Sequence, residues 1–177
     1  MSNEFSYERI TEYLDKRFLF LFNKITGLCD SFAPKLIHCF DAKKEGNLFI
    51  KADGKVSLGH YSSSEDVIKL NLDDIRKHVN TLFCPLISKM HYKDSSVLLA
   101  ELVLIHELFH VKQYKIDKVC FSDCNDNEKV ILEKEADDLA TQFFLENIDE
   151  NIPKDEITEI ITYYKNLREK VLITSFS

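Results

Sequence analysis

Two histidines and a glutamate in the most apolar segment of the chain have the spacing of a metal-binding helix. The residues His106-Glu107-Leu108-Phe109-His110 match the pattern His-Glu-x-x-His. Because a helix places residues four apart on one face, both imidazoles can bind one metal ion. Glu107 projects about 100° around the helix from His106, where its carboxylate can take a proton from a metal-activated water. The pattern therefore indicates hydrolysis, with two histidine ligands and Glu107 as the general base.

A third ligand is expected on a second helix, because catalytic zinc usually takes three protein ligands and leaves the fourth position to water. In the segment 133–140, helical spacing places Glu133, Ala136, Asp137 and Ala140 on one face. The two alanines allow a close approach to the histidine-bearing helix, so Glu133 can reach the ion. Asp137, one turn later, can accept a hydrogen bond from the outer nitrogen of a ligand histidine and fix its tautomer. We therefore predict one Zn²⁺ ion held by the two histidines and Glu133.

The donor that stabilises the negative oxygen formed during hydrolysis is not readable from spacing, because it comes from a distant element. Two tyrosines on the last predicted helix could fold back over the cleft, and a histidine and a tyrosine end a strand that could border it. Each polar ring is more often a half-buried packing residue. The choice therefore stays open among His60, Tyr61, Tyr114, Tyr163 and Tyr164.

Helical periodicity, and one segment where it gives way to strand-like runs, define the elements that must position these side chains. Between residues 46 and 72, Asp53-Gly54 separates two strand-like runs, which is a hairpin signal, and Ile68 and Leu70 alternate with polar residues in a third run. These features predict an α+β fold in one domain over 1–177, with a small, largely antiparallel sheet packed against several helices. The predicted elements are a first helix over about 6–28, the sheet over about 46–72, a helix over LDDIRKHVNTLF, metal-site helices over about 96–116 and 126–146, and a C-terminal helix over about 155–172.

The composition excludes several classes of partner. The chain has 177 residues, 45% of them hydrophobic and 30% charged, which is typical of a globular domain. Its net charge of −7 offers no basic surface for phosphates, so we expect no nucleic acid partner. The longest uncharged apolar runs are far shorter than the ~20 residues that cross a bilayer, so we expect no membrane span.

The five cysteines indicate a reducing compartment. Their number is odd, and the first residues of the chain lack the basic and apolar regions of a secretory signal. We therefore expect a cytoplasmic protein. Cys120 and Cys124 could hold a second metal ion, but there is no second pair at metal spacing, and a structural loop is the better interpretation.

The two metal motifs together resemble those of the gluzincin metallopeptidases. HELFH followed by EKEAD is similar to their His-Glu-x-x-His helix with a glutamate in a second motif. The resemblance implies a zincin-like fold in which His106, His110 and Glu133 bind zinc, Glu107 is the general base and Asp137 orients a histidine. GHYSSSEDVIKLN, ahead of the motif, also resembles the small ImmA/IrrE-type proteases, where a sheet edge beside the site aligns the substrate chain. The resemblance covers residues 55 to 144.

These features favour a zinc-dependent endopeptidase of restricted specificity, acting on a protein or peptide substrate as a regulatory or processing protease. The alternative is a catalytically silent zinc-binding module that docks a protein partner on its sheet edge. Glu107 argues against that alternative, because a zinc site without turnover needs no base. A zinc ion that only stabilises the fold is disfavoured as well, because such sites usually have four protein ligands rich in cysteine.

Overall fold

The computed structural model describes residues 7–40, 57–83, 92–148 and 152–175. In these ranges the chain has an α+β fold of five helices and three strands, which confirms the predicted class. The strands are β1 (Lys35–Cys39), β2 (Gly59–Ser62) and β3 (Val67–Asn71). The helices are α1 (Tyr7–Thr26), α2 (Leu72–Phe83), α3 (Tyr92–Lys115), α4 (Asp126–Asn147) and α5 (Lys154–Ser175).

The described strands form a mixed sheet with the order β1-β3-β2. β2 and β3 are antiparallel, with Tyr61 opposite Ile68, whereas β1 and β3 are parallel, with Lys35 opposite Val67. The prediction of a largely antiparallel sheet is therefore wrong for these strands. A parallel neighbour requires a crossover connection, so β1 and β3 are not joined by a tight hairpin turn. The predicted hairpin at residues 53 and 54 lies outside the described residues.

The turn between β2 and β3 is held against α3. It joins β2 to β3 and includes Asp66 in a left-handed conformation, with φ of 52°. Lys115 Nζ donates to Asp66 Oδ2 at 2.7 Å and to the carbonyl oxygen of Phe32 at 2.7 Å. These contacts hold the hairpin against the C-terminal end of α3, so that β2 runs beside the metal-site motif.

The central helix α3 is buried on nearly all sides, as expected of a helix that is apolar all round. It packs against the other four helices and against β2 and β3. Its buried Glu101 is compensated, because Arg17 Nη2 donates to it at 2.8 Å and the Tyr13 hydroxyl at 2.6 Å. The motif therefore sits on the most constrained helix of the described fold. None of the described helices is long and apolar enough to span a bilayer.

Candidate metal centre

The three predicted ligands come together between α3 and α4. His106 Nε2 lies 3.0 Å from His110 Nε2 and 3.6 Å from Glu133 Oε2, and His110 Nε2 lies 3.6 Å from Glu133 Oε1. Tetrahedral zinc with bonds of 2.0–2.1 Å separates its ligand atoms by about 3.4 Å. Both the spacing and the donor set, two imidazoles and one carboxylate, therefore fit a metal ion held by these residues.

Helix α4 brings Glu133 close to the two histidines because the side chains that it packs against α3 are small. Ala136 and Ala140 are fully buried, and α4 packs against α3. The helix begins at a capping box in which the Asn125 side chain accepts from the Glu128 amide, and Glu128 accepts from the Asn125 amide. This start fixes the first turn of α4, and Glu133 lies on the next turns, one turn before Asp137.

Asp137 lies behind His106, as the sequence predicts for a residue that orients a ligand. His106 Nδ1 is 2.9 Å from Asp137 Oδ1, although the two are not aligned as a linear hydrogen bond. Two donors from α5 hold the carboxylate: the Tyr164 hydroxyl at 2.8 Å, and Arg168 Nε at 2.9 and 3.1 Å from its two oxygens. Burial and the negative charge of Asp137 raise the pKa of Tyr164 well above 10, so its hydroxyl remains a donor.

Gln113 plays the corresponding part for His110, one turn further along α3. Its side-chain nitrogen donates to the carbonyl oxygen of Leu132 at 3.1 Å and to Glu135 Oε2 at 3.0 Å. These two acceptors leave Gln113 Oε1 facing His110 Nδ1 at 2.8 Å. Because an amide oxygen can only accept, His110 carries its proton on Nδ1, and its Nε2 lone pair points to the site.

The charge of the site is set by the carboxylates of Glu133 and Asp137, with the Arg168 guanidinium acting against them. Burial opposes ionisation of Glu133, but the two histidines and Arg168 outweigh it and hold the pKa of Glu133 well below its usual range. Burial and Arg168 likewise oppose protonation of His106, yet Asp137 and Glu133 raise the pKa of His106 to about 9. The same carboxylates that attract a proton to His106 attract a divalent cation.

Glu107 lies next to the ligands and faces a cavity of about 420 Å³. The backbone of β2 forms the opposite wall at contact distance: a Cβ atom on Gly59 would lie 2.8 Å from Glu107 Oε1 and 2.8 Å from Val103 Cγ1. The absence of a side chain at Gly59 therefore allows β2 to pass directly beside the predicted base. The ligands, Glu107 and β2 therefore line the same cavity, whose lining includes Gly59, His60, Tyr61, Ser62, His106, Glu107, His110 and Glu133.

The five candidate donors to the negative oxygen separate into two groups. His60, Tyr61 and Tyr114 line the cavity, and the Tyr61 hydroxyl donates to Asp66. Tyr163 and Tyr164 lie outside the described cavity lining. The Tyr164 hydroxyl is bound to Asp137, and the Tyr163 hydroxyl lies 2.5 Å from the Nδ1 atom of His78.

Two residues of the site were not predicted, Arg168 and Gln113. Arg168 Nη2 contacts Glu133 Oε2 and lies 3.4 Å from His106 Nε2. A signal existed for Gln113, which stands three residues after a ligand histidine on the same helix face. No spacing rule relates Arg168 to the motif, because it lies on α5, and only the packing of α5 against α3 and α4 brings it in.

Comparisons with protein-family models, with curated proteins and with solved structures found no match. What can be inferred of the function therefore comes from the chemistry and geometry of this site.

Proposed function

We propose that the protein is a zinc-dependent endopeptidase of the gluzincin type, with restricted specificity for a protein or peptide substrate. One observation carries the proposal: the two motif histidines and Glu133 converge at metal-binding distances while Glu107 faces the same cavity. Sites that only stabilise a fold are closed by four protein ligands. Three ligands at the wall of a cavity, with the Glu107 carboxylate facing the same cavity, match a catalytic centre better than a structural one.

His106, His110 and Glu133 would hold the zinc ion, which supplies Lewis acidity and makes hydroxide available near neutral pH. Gln113 keeps the Nδ1 atom of His110 protonated, and the negative charge of Asp137, 2.9 Å from His106 Nδ1, favours a proton there too. Both Nε2 lone pairs would then be directed to the ion. Glu107 takes the proton of the attacking water and delivers it to the nitrogen of the leaving amine. One carboxylate thus serves as base and then as acid.

Strand β2 is placed to align an extended peptide. In the described sheet it hydrogen-bonds to β3 on one side and borders the cavity with Gly59, His60, Tyr61 and Ser62. An extended chain can add to a strand through main-chain hydrogen bonds. Since the Gly59 backbone passes at contact distance from Glu107, a peptide paired there would lie with its backbone beside the general base.

The test is cleavage of a proteome-derived peptide library by the zinc-loaded chain, with new termini identified by mass spectrometry. We expect cleavage at a small set of sequences. Glu107→Gln should keep one zinc ion per chain and lose cleavage by a factor of about 10² to 10⁴ or more, the contribution of general base catalysis. Glu12→Gln, at an exposed position on α1, is the matched control and should cleave normally.

Two results would contradict the proposal. A wild-type chain that holds zinc but cleaves nothing would instead indicate a silent binding module. Cleavage that is unchanged in Glu107→Gln would remove the assigned base, and with it the mechanism.

A further inference from the structure

Arg168 has a position that its contacts with the carboxylates do not fully explain. Its Nε donates to both oxygens of Asp137, and its Nη2 contacts Glu133 and lies 3.4 Å from His106 Nε2. The side chain also lines the cavity that Glu107 faces. The guanidinium therefore lies at the cavity wall as well as in the ion pairs, within reach of a molecule bound in the cavity.

The guanidinium is fixed in both charge and orientation. The planar fork is anchored on α4 by two carboxylates, and only 14% of the side chain is exposed. An arginine guanidinium is charged at any ordinary pH, and its contacts with Asp137 and Glu133 fix its orientation. A cation that is already oriented stabilises charge developing in a reaction without having to reorganise.

We infer that Arg168 is the donor that binds the carbonyl oxygen of the scissile peptide bond as that oxygen becomes negative. The inference rests on the proposed function and names a residue outside the five rings that the sequence suggested. Arg168 combines three properties: a fixed positive charge, direct contact with a ligand carboxylate and access to the cavity. Among the competing rings, Tyr163 and Tyr164 are engaged with His78 and Asp137, and the Tyr61 hydroxyl donates to Asp66. His60 and Tyr114 line the cavity, but none of the described hydrogen bonds or ion pairs joins them to a ligand carboxylate.

The inference also gives α5 a function, because this helix supplies the donor. α5 packs against α3 and α4, and Tyr164, one turn before Arg168, anchors it on Asp137. Asp137 thus connects the histidine that it orients with the arginine that faces the substrate. The matched variants must therefore separate a direct contact with substrate from an effect transmitted through Asp137.

The test compares zinc-loaded variants on a fluorogenic peptide that the wild type cleaves, with zinc content and circular dichroism measured for each. Arg168→Gln should lower kcat by 10² to 10³ while KM changes less than about threefold. The kcat of Arg168→Lys should lie between those of Arg168→Gln and the wild type. An ammonium keeps the charge but cannot make the two-sided contacts of the planar guanidinium. Arg17→Lys alters a part-buried ion pair with Glu101 of α3 outside the described cavity lining, and it should leave kcat unchanged.

Tyr164→Phe removes a hydrogen-bond donor to Asp137, and Tyr164 lies outside the described cavity lining. This variant should weaken zinc binding more than it lowers the kcat of the zinc-loaded enzyme. Wild-type kcat in zinc-loaded Arg168→Gln would overturn the inference. A kcat loss in Tyr164→Phe equal to that of Arg168→Gln would also overturn it, by showing that Arg168 acts through Asp137. If Arg168→Gln does not fold, wild-type kcat in Arg168→Lys would overturn it. A zinc-loaded wild type that cleaves no peptide removes the proposed function itself, and the inference falls with it.

Discussion

Each ligand histidine presents the same nitrogen to the site because a different residue fixes its other nitrogen. For His110 the partner is Gln113, whose amide orientation is set by Leu132 and Glu135. For His106 it is Asp137, which two α5 side chains hold in place. Partners that fix a ligand's tautomer change metal affinity by about 10- to 100-fold when they are replaced. The site is therefore positioned through α5 as well as through the two helices that bear the ligands.

Gly59 sets the distance between β2 and the general base, and Gly59→Ala tests that role. The added methyl group would lie 2.8 Å from Glu107 Oε1 and from Val103, so β2 or Glu107 must move. We expect kcat/KM for peptide cleavage to fall by about 100-fold, the cost of a displacement of ~1 Å at a reacting group, with zinc retained.

Gly27→Ala is the matched control for this substitution. Gly27 ends α1 with φ of +71°, and a Cβ atom there would meet nothing within 4 Å. Alanine at this φ should cost about 1 kcal/mol of stability and leave cleavage unchanged. Equal activities of Gly59→Ala and the wild type would show that β2 does not control the position of Glu107.

At the residue scale, the ligands were predictable because their signal is local. His106, Glu107 and His110 follow from i, i+4 geometry on one helix, and Glu133 with Asp137 follows from the same rule on a second helix. Arg168 could not be predicted in this way, because its approach depends on the angle at which α5 packs.

Helix α5 is attached to α2 as well as to α4, because the Tyr163 hydroxyl contacts His78 of α2. Burial lowers the pKa of His78, with Asp74 acting in the opposite direction. A folded-state pKa below the unfolded value of 6.5 means that this contribution is fully present above pH 6.5 and is lost as the pH falls through the lowered pKa. Acid should therefore loosen the attachment of α5 to α2.

His78→Gln tests this dependence without touching the cavity. The free energy of unfolding, measured with urea at pH 7 and at pH 5, should fall less on acidification in the variant than in the wild type. The difference should be on the order of 1 kcal/mol, as for one hydrogen bond. An identical loss in both proteins would show that His78 does not couple α5 to pH.

Helices were easier to predict than strands for a physical reason. The predicted helices 6–28, 126–146 and 155–172 agree closely with α1, α4 and α5, and α3 begins four residues before its predicted start. Strand β1 was missed, because its five residues include a lysine and a histidine and show no clear alternation. Its parallel pairing with β3 depends on a contact distant in sequence, which local patterns do not encode.

At the scale of the whole molecule, the site joins segments that are far apart along the chain, from Gly59 on β2 to Arg168 on α5. The α+β class was predictable from periodicity alone. The convergence of the two ligand helices was predictable from spacing, whereas the contacts that bring β2 and α5 to the same cavity follow from burying α3 on nearly all sides. A bound ion would link α3 to α4 directly, so metal binding and the integrity of the fold should be coupled.

Anomalous diffraction at the zinc edge, from crystals of the zinc-loaded chain, would locate the metal ion itself. We expect one peak per chain, bonded at about 2.0–2.2 Å to His106 Nε2, His110 Nε2 and a Glu133 oxygen. A peak held by other residues, such as Cys120 and Cys124, or no peak despite excess zinc, would contradict this expectation.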